Sequence, residues 1–200
     1  MPFGTEFNTS FLHDLGLSVV TDLKVLGITY SKSNHDIVAN NISKMIPKIV
    51  QDISQWKRRN LTVLGKITVV KSMLLSKLVH IFTALPNPPQ SSIKAINNLL
   101  FKFVWNDRPD KVKRNKLVQG FEFGGLKMVE VESFIKSLKV SWLKRLYWAN
   151  ANVLWANHIK THLPVIDDLV CFGHSKLKEL AKNLNNKFWS DVLYAWADFC

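Results

Sequence analysis

Apolar side chains recur every three or four positions through most of this chain, and that spacing predicts helices. Val38, Ile42, Met45, Ile49, Ile53 and Trp56 mark one face of a first amphipathic helix, with Asn34 or Asp36 as its N-cap. Pro47 lies inside it, so a kink or a split into two shorter helices is expected. Thr62 is the expected N-cap of a second helix reaching to about Phe82. At about 100° per residue, Leu64, Ile67, Leu74, Leu75, Leu78, Ile81 and Phe82 fall in a stripe ~120° wide. On the same projection Lys66 and Lys77 share another face about 20° apart, and Lys71 projects from the middle of the apolar stripe.

The segment ALPNPP (Ala84–Pro89) ends that helix and holds the chain extended. A third helix, from about Ser91 to Trp105, turns Ile93, Ile96, Leu100 and Phe103 to one side. It runs into the polar loop NDRPDKVKRNK and then GFEFGG, a turn expected to join two short strands. From Glu132 to about Trp148 a further helix carries Phe134, Leu138, Trp142 and Leu146, and helical patterns return around Val153–Leu163 and Leu177–Phe199. Period-two character is confined to LKVLGITY (Leu23–Tyr30), a strand bent at Gly27, with Leu15–Val20 the candidate second arm of a hairpin. The fold expected is therefore mainly α, a helical bundle with a short N-terminal β-hairpin.

An apolar content of 47% and seven Trp exclude a disordered tail. No apolar run reaches the ~20 residues of a membrane span, and MPFGTEFNTSF lacks the basic start and apolar stretch of a signal peptide. Cys171 and Cys200 are too few for a disulfide framework, which favours a reducing, intracellular setting in nucleus or cytoplasm. Charge changes the picture more. Residues 51–146 hold 18 Lys+Arg against 6 Asp+Glu, and the rest of the chain is balanced at 9 and 9, so the whole net charge of +12 sits in one central block. A basic block between neutral ends implies a surface for a polyanion, nucleic acid ahead of an anionic membrane.

The order of short motifs resembles the end of a reverse transcriptase from LINE-type, non-LTR retrotransposons. Leu26-Gly27-Ile28 looks like the Leu-Gly turn of the primer grip that closes the palm. Trp56, Arg59 and Leu61-Thr62-Val63-Leu64-Gly65-Lys66-Ile67 stand where the family has Trp, a basic residue and Leu-Ser-Leu-x-Gly-Arg-Ile. Val70-Lys71-Ser72 matches the Ile-Lys-Ser that comes next. Leu75-Ser76-Lys77-Leu78 replaces the usual proline of Leu-Pro-x-Leu by Ser76. Pro86-Asn87-Pro88, Phe103-Val104-Trp105 and Gly124-Gly125-Leu126 complete the series, which covers about residues 20–147.

The resemblance implies a palm-edge or primer-grip remnant over 1–35, a helical thumb-like domain over 36–126 and a post-thumb helical segment over 127–200. Polymerisation in that family uses palm Asp residues, including a pair in a Tyr/Phe-x-Asp-Asp turn, that hold two metal ions. Ahead of Leu26 stand only Glu6, Asp14 and Asp22, so the chain is expected to be a catalytically incomplete fragment, not an enzyme. The expected partner is an RNA/DNA template–primer duplex, bound weakly and in a salt-sensitive way, with no cofactor, no small-molecule substrate and no membrane. A stand-alone or host-adopted basic nucleic-acid-binding module, or a non-functional relic, is the alternative.

The candidate contacts are Lys57, Arg58, Arg59, Lys66, Lys71 and Lys77, joined by Lys113 and Arg114 of the polar loop. Cations without sequence preference suit backbone phosphates; the competing reading is a solvated helix face. Lys71, placed in an apolar stripe, must otherwise snorkel or find a carbonyl. Trp56, Trp105 and Trp142 have helical spacing on apolar faces and are expected in the core rather than on bases. Gly65 is either a tolerated helix-start glycine or a point of close backbone approach. His158, His162, Cys171 and His174 have some metal-ligand spacing, but one Cys-x-x-His without a second Cys pair is read as structural. Asp167-Asp168 in a turn-like stretch is read as capping or solvated.

Overall fold

The computed structural model describes residues 20, 22–31, 34–150, 152–163, 169 and 171–200. It is mainly helical with a short two-stranded antiparallel hairpin. The side chains of Asn34 and Asp36, the Leu15–Val20 arm apart from Val20, and Asp167-Asp168 lie outside the described residues.

The LKVLGITY segment is itself the hairpin. Strands β1 (Leu23–Val25) and β2 (Ile28–Tyr30) pair through a two-residue turn at Leu26 and Gly27. Both turn residues have positive φ, 49° and 84°, the geometry that matches the twist of a tight hairpin. Thr29 sits opposite Lys24, the second pair from the turn, so its N–H and C=O point away from β1. Asn41 satisfies both. Its buried carboxamide accepts from Thr29 N at 2.9 Å and donates to Thr29 O at 2.8 Å, and also to Ile37 O at 2.7 Å.

Helix α1 (Asn34–Lys57) runs unbroken through Pro47 as one helix of 24 residues rather than two, and buries Ile37, Val38, Ile42, Ile49 and Ile53. Thr62 caps α2 (Val63–Val69) as expected, its hydroxyl accepting from Gly65 N at 3.2 Å. The straight helix expected from Thr62 to Phe82 is interrupted. Residues Val70–Leu74 form a π turn, sealed by Leu75 N donating to Val70 O at 2.9 Å, before α3 (Ser76–Ala84) resumes. The two halves meet at 46°. Local chemistry favours the distortion, because Thr68 and Ser72 hydroxyls donate to the carbonyls four residues back, Leu64 O and Thr68 O.

That turn alters the phase of everything around it. Up to its first residue the buried positions are Lys66, Ile67, Val69 and Val70; from its last residue onward they are Leu74, Leu75, Leu78, Ile81 and Phe82. On a straight projection the two sets differ by about 100°, the offset of roughly one extra residue. Two expectations fail for this reason. Leu64 is 49% exposed instead of inward, and Lys71 stands in solvent instead of in the apolar stripe.

Helix α4 (Gln90–Val104) leads to a short α5 (Arg114–Val118), a 3₁₀ turn at Phe121–Phe123 and α6 (Val131–Tyr147). GFEFGG therefore joins no strands; Leu126 and Met128 instead return their N–H groups to Leu117 O. Helices α7 (Leu154–Lys160), α8 (His174–Asn183) and α9 (Lys187–Ala197) follow among the described residues. Two apolar cores result. One gathers β2, α1 to α4, Leu117, Met128 and the start of α6; the other gathers Leu146 with α7, Leu169, α8 and α9. Helix α6 serves both.

The ALPNPP connector is gripped where the cores meet. Lys139, 0% exposed, donates from Nζ to Leu85 O, Trp142 Nε1 donates to Thr83 O at 2.8 Å, and Asp191 Oδ2 accepts from Asn87 N at 2.8 Å. An extended stretch rich in proline cannot satisfy its own backbone groups, so α6 supplies donors to the carbonyls of Thr83 and Leu85 and α9 supplies an acceptor to the Asn87 N–H. Trp142 also meets Trp155, Phe188 and Trp189 edge-on at 5.4–6.3 Å. Trp56, Trp105 and Trp142 all pack against these cores, as their spacing implied. No single helix among the described residues is long and apolar enough to cross a membrane.

Candidate nucleic-acid interface

The C-terminal end of α4 sets the first half of the basic surface. Asn106 and Asp107 both adopt positive φ, 53° and 60°. Asp107 N donates to Lys102 O at 2.8 Å and Asn106 N to Phe103 O at 3.3 Å, the two crossed bonds of a Schellman cap with Asn in the left-handed position. Lys66 completes it. Its side chain reaches Asn106 Oδ1 at 2.6 Å and Val104 O at 3.4 Å, placing a cation where the helix dipole is negative.

This overturns the placement of Lys66 on an open cationic face. The residue is 5% exposed, and burial first, then the neighbouring Lys57 charge, hold its ammonium below the ordinary lysine range. The shift of phase at the π turn turns Lys66 inward while leaving Lys77 outside. The two lysines do not act as a pair.

The remaining candidates divide by partner. Lys57 is ion-paired with Asp107, from a loop fifty residues on in sequence, and Lys77 with Asp52 of α1. Both lysines are thus answered by carboxylates distant from them in sequence. Arg59 lies 4.5 Å over the Trp56 ring and lines, with Asp52, Met73 and Lys77, a shallow cavity of about 200 Å³. Arg114 is committed to its own cluster: Asp110 at 2.7 Å, Asn98 at 2.5 Å and the Phe101 ring at 4.8 Å. Arg58, Lys71 and Lys113 are exposed and make no ion pair among the described residues.

The structure therefore brings Lys57, Arg58 and Arg59 to one end of α1, with Arg59 and Lys77 around one cavity, and leaves Arg114 in a separate contact set. The ion pairs of Lys57 and Lys77 are exposed ones, worth about 0–1 kcal/mol each, and a phosphate can replace a carboxylate in either. Exposed Lys94, Lys102, Arg108 and Lys111 add to the same central block.

Gly65 has space for a methyl group, with Thr62 Oγ1 at 3.4 Å and Leu61 at 3.7 Å from a Cβ built there. His158 and His162 stack edge-on at 5.0 Å, His174 Nδ1 lies 2.6 Å from Ala197 O, and Cys171 is exposed. Among the described residues no three His, Cys, Asp or Glu side chains converge on a point that would hold a metal ion. Lys139 and Asp191 were missed as key polar residues. The signal for Lys139 was present, since it falls four residues after Ile135 and three before Trp142, on the buried side of α6. No protein-family model matches the sequence.

Proposed function

We propose that this chain is the thumb and post-thumb part of a retrotransposon-type reverse transcriptase, and that its central cations hold the phosphates of a template–primer duplex. The observation that carries the reading is the confinement of all excess positive charge to residues 51–146, where most of the Lys and Arg side chains are exposed. The ordered motif series from Leu26-Gly27 to Gly124-Gly125-Leu126 supports the choice of family. Lysines on helices and loops, with no side chain set to read base edges, fit phosphate contact that fixes position without choosing sequence. The Asp167-Asp168 pair is preceded by Val165-Ile166 and not by the aromatic of a Tyr/Phe-x-Asp-Asp turn, so this chain is a binding part of the enzyme and not its catalytic centre.

Measuring duplex affinity against salt tests this. With about four to six phosphates neutralised, log K falls against log salt with a slope of about −4 to −5. Arg58→Ala, Lys71→Ala and Lys113→Ala together flatten that slope by up to ~3 and weaken unrelated sequences alike. Lys178→Ala with Lys182→Ala, on the charge-balanced segment, leaves it unchanged. Equal loss from both sets, or binding indifferent to salt, refutes the proposal.

A further inference from the structure

A second surface, at the corner between α6 and α7, has a different chemistry. Tyr147, Trp148, Leu154 and Trp155 are all exposed there, Trp148 to 71%. Tyr147 and Trp148 meet edge-on with ring centres 5.5 Å apart, and Trp155 is held parallel to Trp189 at 6.4 Å and 17°. The corner is therefore made of rings fixed by other rings, not of loose side chains. The core could have absorbed such groups, and solvent exposure of two tryptophans costs apolar area that something else must cover.

The charges around the rings choose the cover. No Asp or Glu occurs anywhere between Glu132 and Asp167, an interval that holds five Lys, Arg or exposed His side chains besides the buried Lys139 and besides Lys136, which pairs with Glu132 and Asp198. Lys144 lies one helical turn before Tyr147 and Trp148, is exposed, and makes no ion pair among the described residues. Arg145 is exposed and covers the Trp142 ring at 4.8 Å. An apolar partner helix would gain nothing from interleaved cations. A duplex offers phosphates but keeps its base faces stacked away. A single strand offers both, phosphates for the cations and free π faces for the rings.

We infer that the Tyr147–Trp155 corner is a stacking platform for unpaired nucleic acid, distinct from the Arg58, Lys71 and Lys113 cations proposed to hold a duplex and independent of that reading. Trp148 is the main platform, Tyr147 lies against it, Trp155 adds a further exposed ring at the start of α7, and Lys144 meets the backbone.

The test uses the full chain and a fluorescently labelled oligouridylate, which has no duplex structure, followed by anisotropy. A mixed-base hairpin duplex and vesicles containing phosphatidylserine form the comparison arms. Trp148→Ala is expected to weaken oligouridylate binding about tenfold or more, with hairpin binding and the circular dichroism melt unchanged because the residue is on the surface. Trp148→Phe keeps a π face and is expected to retain most of the affinity, whereas Trp148→Leu, apolar without a π face, is expected to lose it as Trp148→Ala does; equal retention by both would overturn stacking. Lys144→Ala is expected to lower the salt slope for the oligonucleotide by about one. Absence of oligouridylate binding, equal affinity of Trp148→Ala and wild type, or a Trp148 dependence seen only with vesicles each overturns the inference. Loss of hairpin binding in the central-block variants bears on the duplex reading alone.

Discussion

Replacing Lys139 by methionine tests whether the buried ammonium beneath the ALPNPP connector is tolerated rather than required. Lys139 is fully buried, and desolvation, only partly offset by the Asp191 charge, lowers its pKa from 10.5 to about 8. In the unfolded chain it keeps the ordinary value. Between about pH 8 and 10.5 the unfolded state therefore holds a proton that the folded state has released, and stability must rise with pH across that window. Two and a half units correspond to an upper bound of about 3 kcal/mol at ~1.36 kcal/mol per unit. Below the window both states are charged and the folded protein bears that whole cost. A thioether in the same place has no such cost, but it leaves Leu85 O without a donor, a loss of about 1–3 kcal/mol. The two nearly cancel at neutral pH, so Lys139→Met is expected to be as stable as wild type or up to ~2 kcal/mol more so. Above pH 10.5 the neutral amine still donates to Leu85 O, and the order reverses by about 1–3 kcal/mol. Urea unfolding of both proteins at neutral and alkaline pH, with reductant for the two free cysteines, gives the difference directly, and titrations common to both proteins drop out of it. A wild-type-minus-variant difference that stays constant within about 0.5 kcal/mol across the window refutes the reasoning.

Three smaller perturbations check other joints. Lys66→Ala removes the side chain that closes the α4 cap and is expected to cost about 1–3 kcal/mol in urea unfolding, whereas Lys77→Ala, losing an exposed ion pair, costs less than ~1; equal costs would place Lys66 on the surface after all. Asn41→Ala strips both outward groups of Thr29 of their partner, so about 1–3 kcal/mol is lost and the Thr29 amide loses hydrogen-exchange protection; a Thr29 amide that still exchanges slowly argues that the hairpin holds without the clamp. Gly65→Ala fits the space beside Thr62 and is expected to change stability by no more than about 1 kcal/mol in the favourable direction while duplex affinity stays the same; a selective fall in affinity would identify Gly65 as a point of close approach.

The helices were legible because their apolar spacing is long and regular, as in α1 and α4, where Ile42, Ile49, Ile96 and Leu100 are all buried. The cap at Thr62 was legible because capping is local chemistry. The cations were misread where their fate depends on residues distant in sequence. Asp52 and Asp107 reach Lys77 and Lys57 only through the packing of α1 against α3 and the turn after α4. Lys66 and Lys71 were exchanged, inside for outside, because a projection at constant pitch cannot show an inserted residue. The Schellman cap that needs Lys66 was within reach, since Asn106 follows an apolar helix face directly.

The π turn at Val70–Leu74 makes helix length and helix orientation separate quantities in this chain. In an uninterrupted helix, removing one residue shortens the rod and rotates one end, and both halves cannot then keep their buried faces. Here the extra residue already stores that rotation. Deleting Ser72 would yield an ordinary α-helix in which α2 and α3 keep their buried faces on one side, whereas straightening the helix with Ser72 retained would counter-rotate α2 by about 100° against α3. Leu64 would then compete with Lys66 for the place beneath Asn106. The π turn thus accommodates one residue without re-aiming its flanks, and the end of α1 with Lys57, Arg58 and Arg59 keeps its heading through Asp107 and Lys66 because that residue is absorbed in the turn.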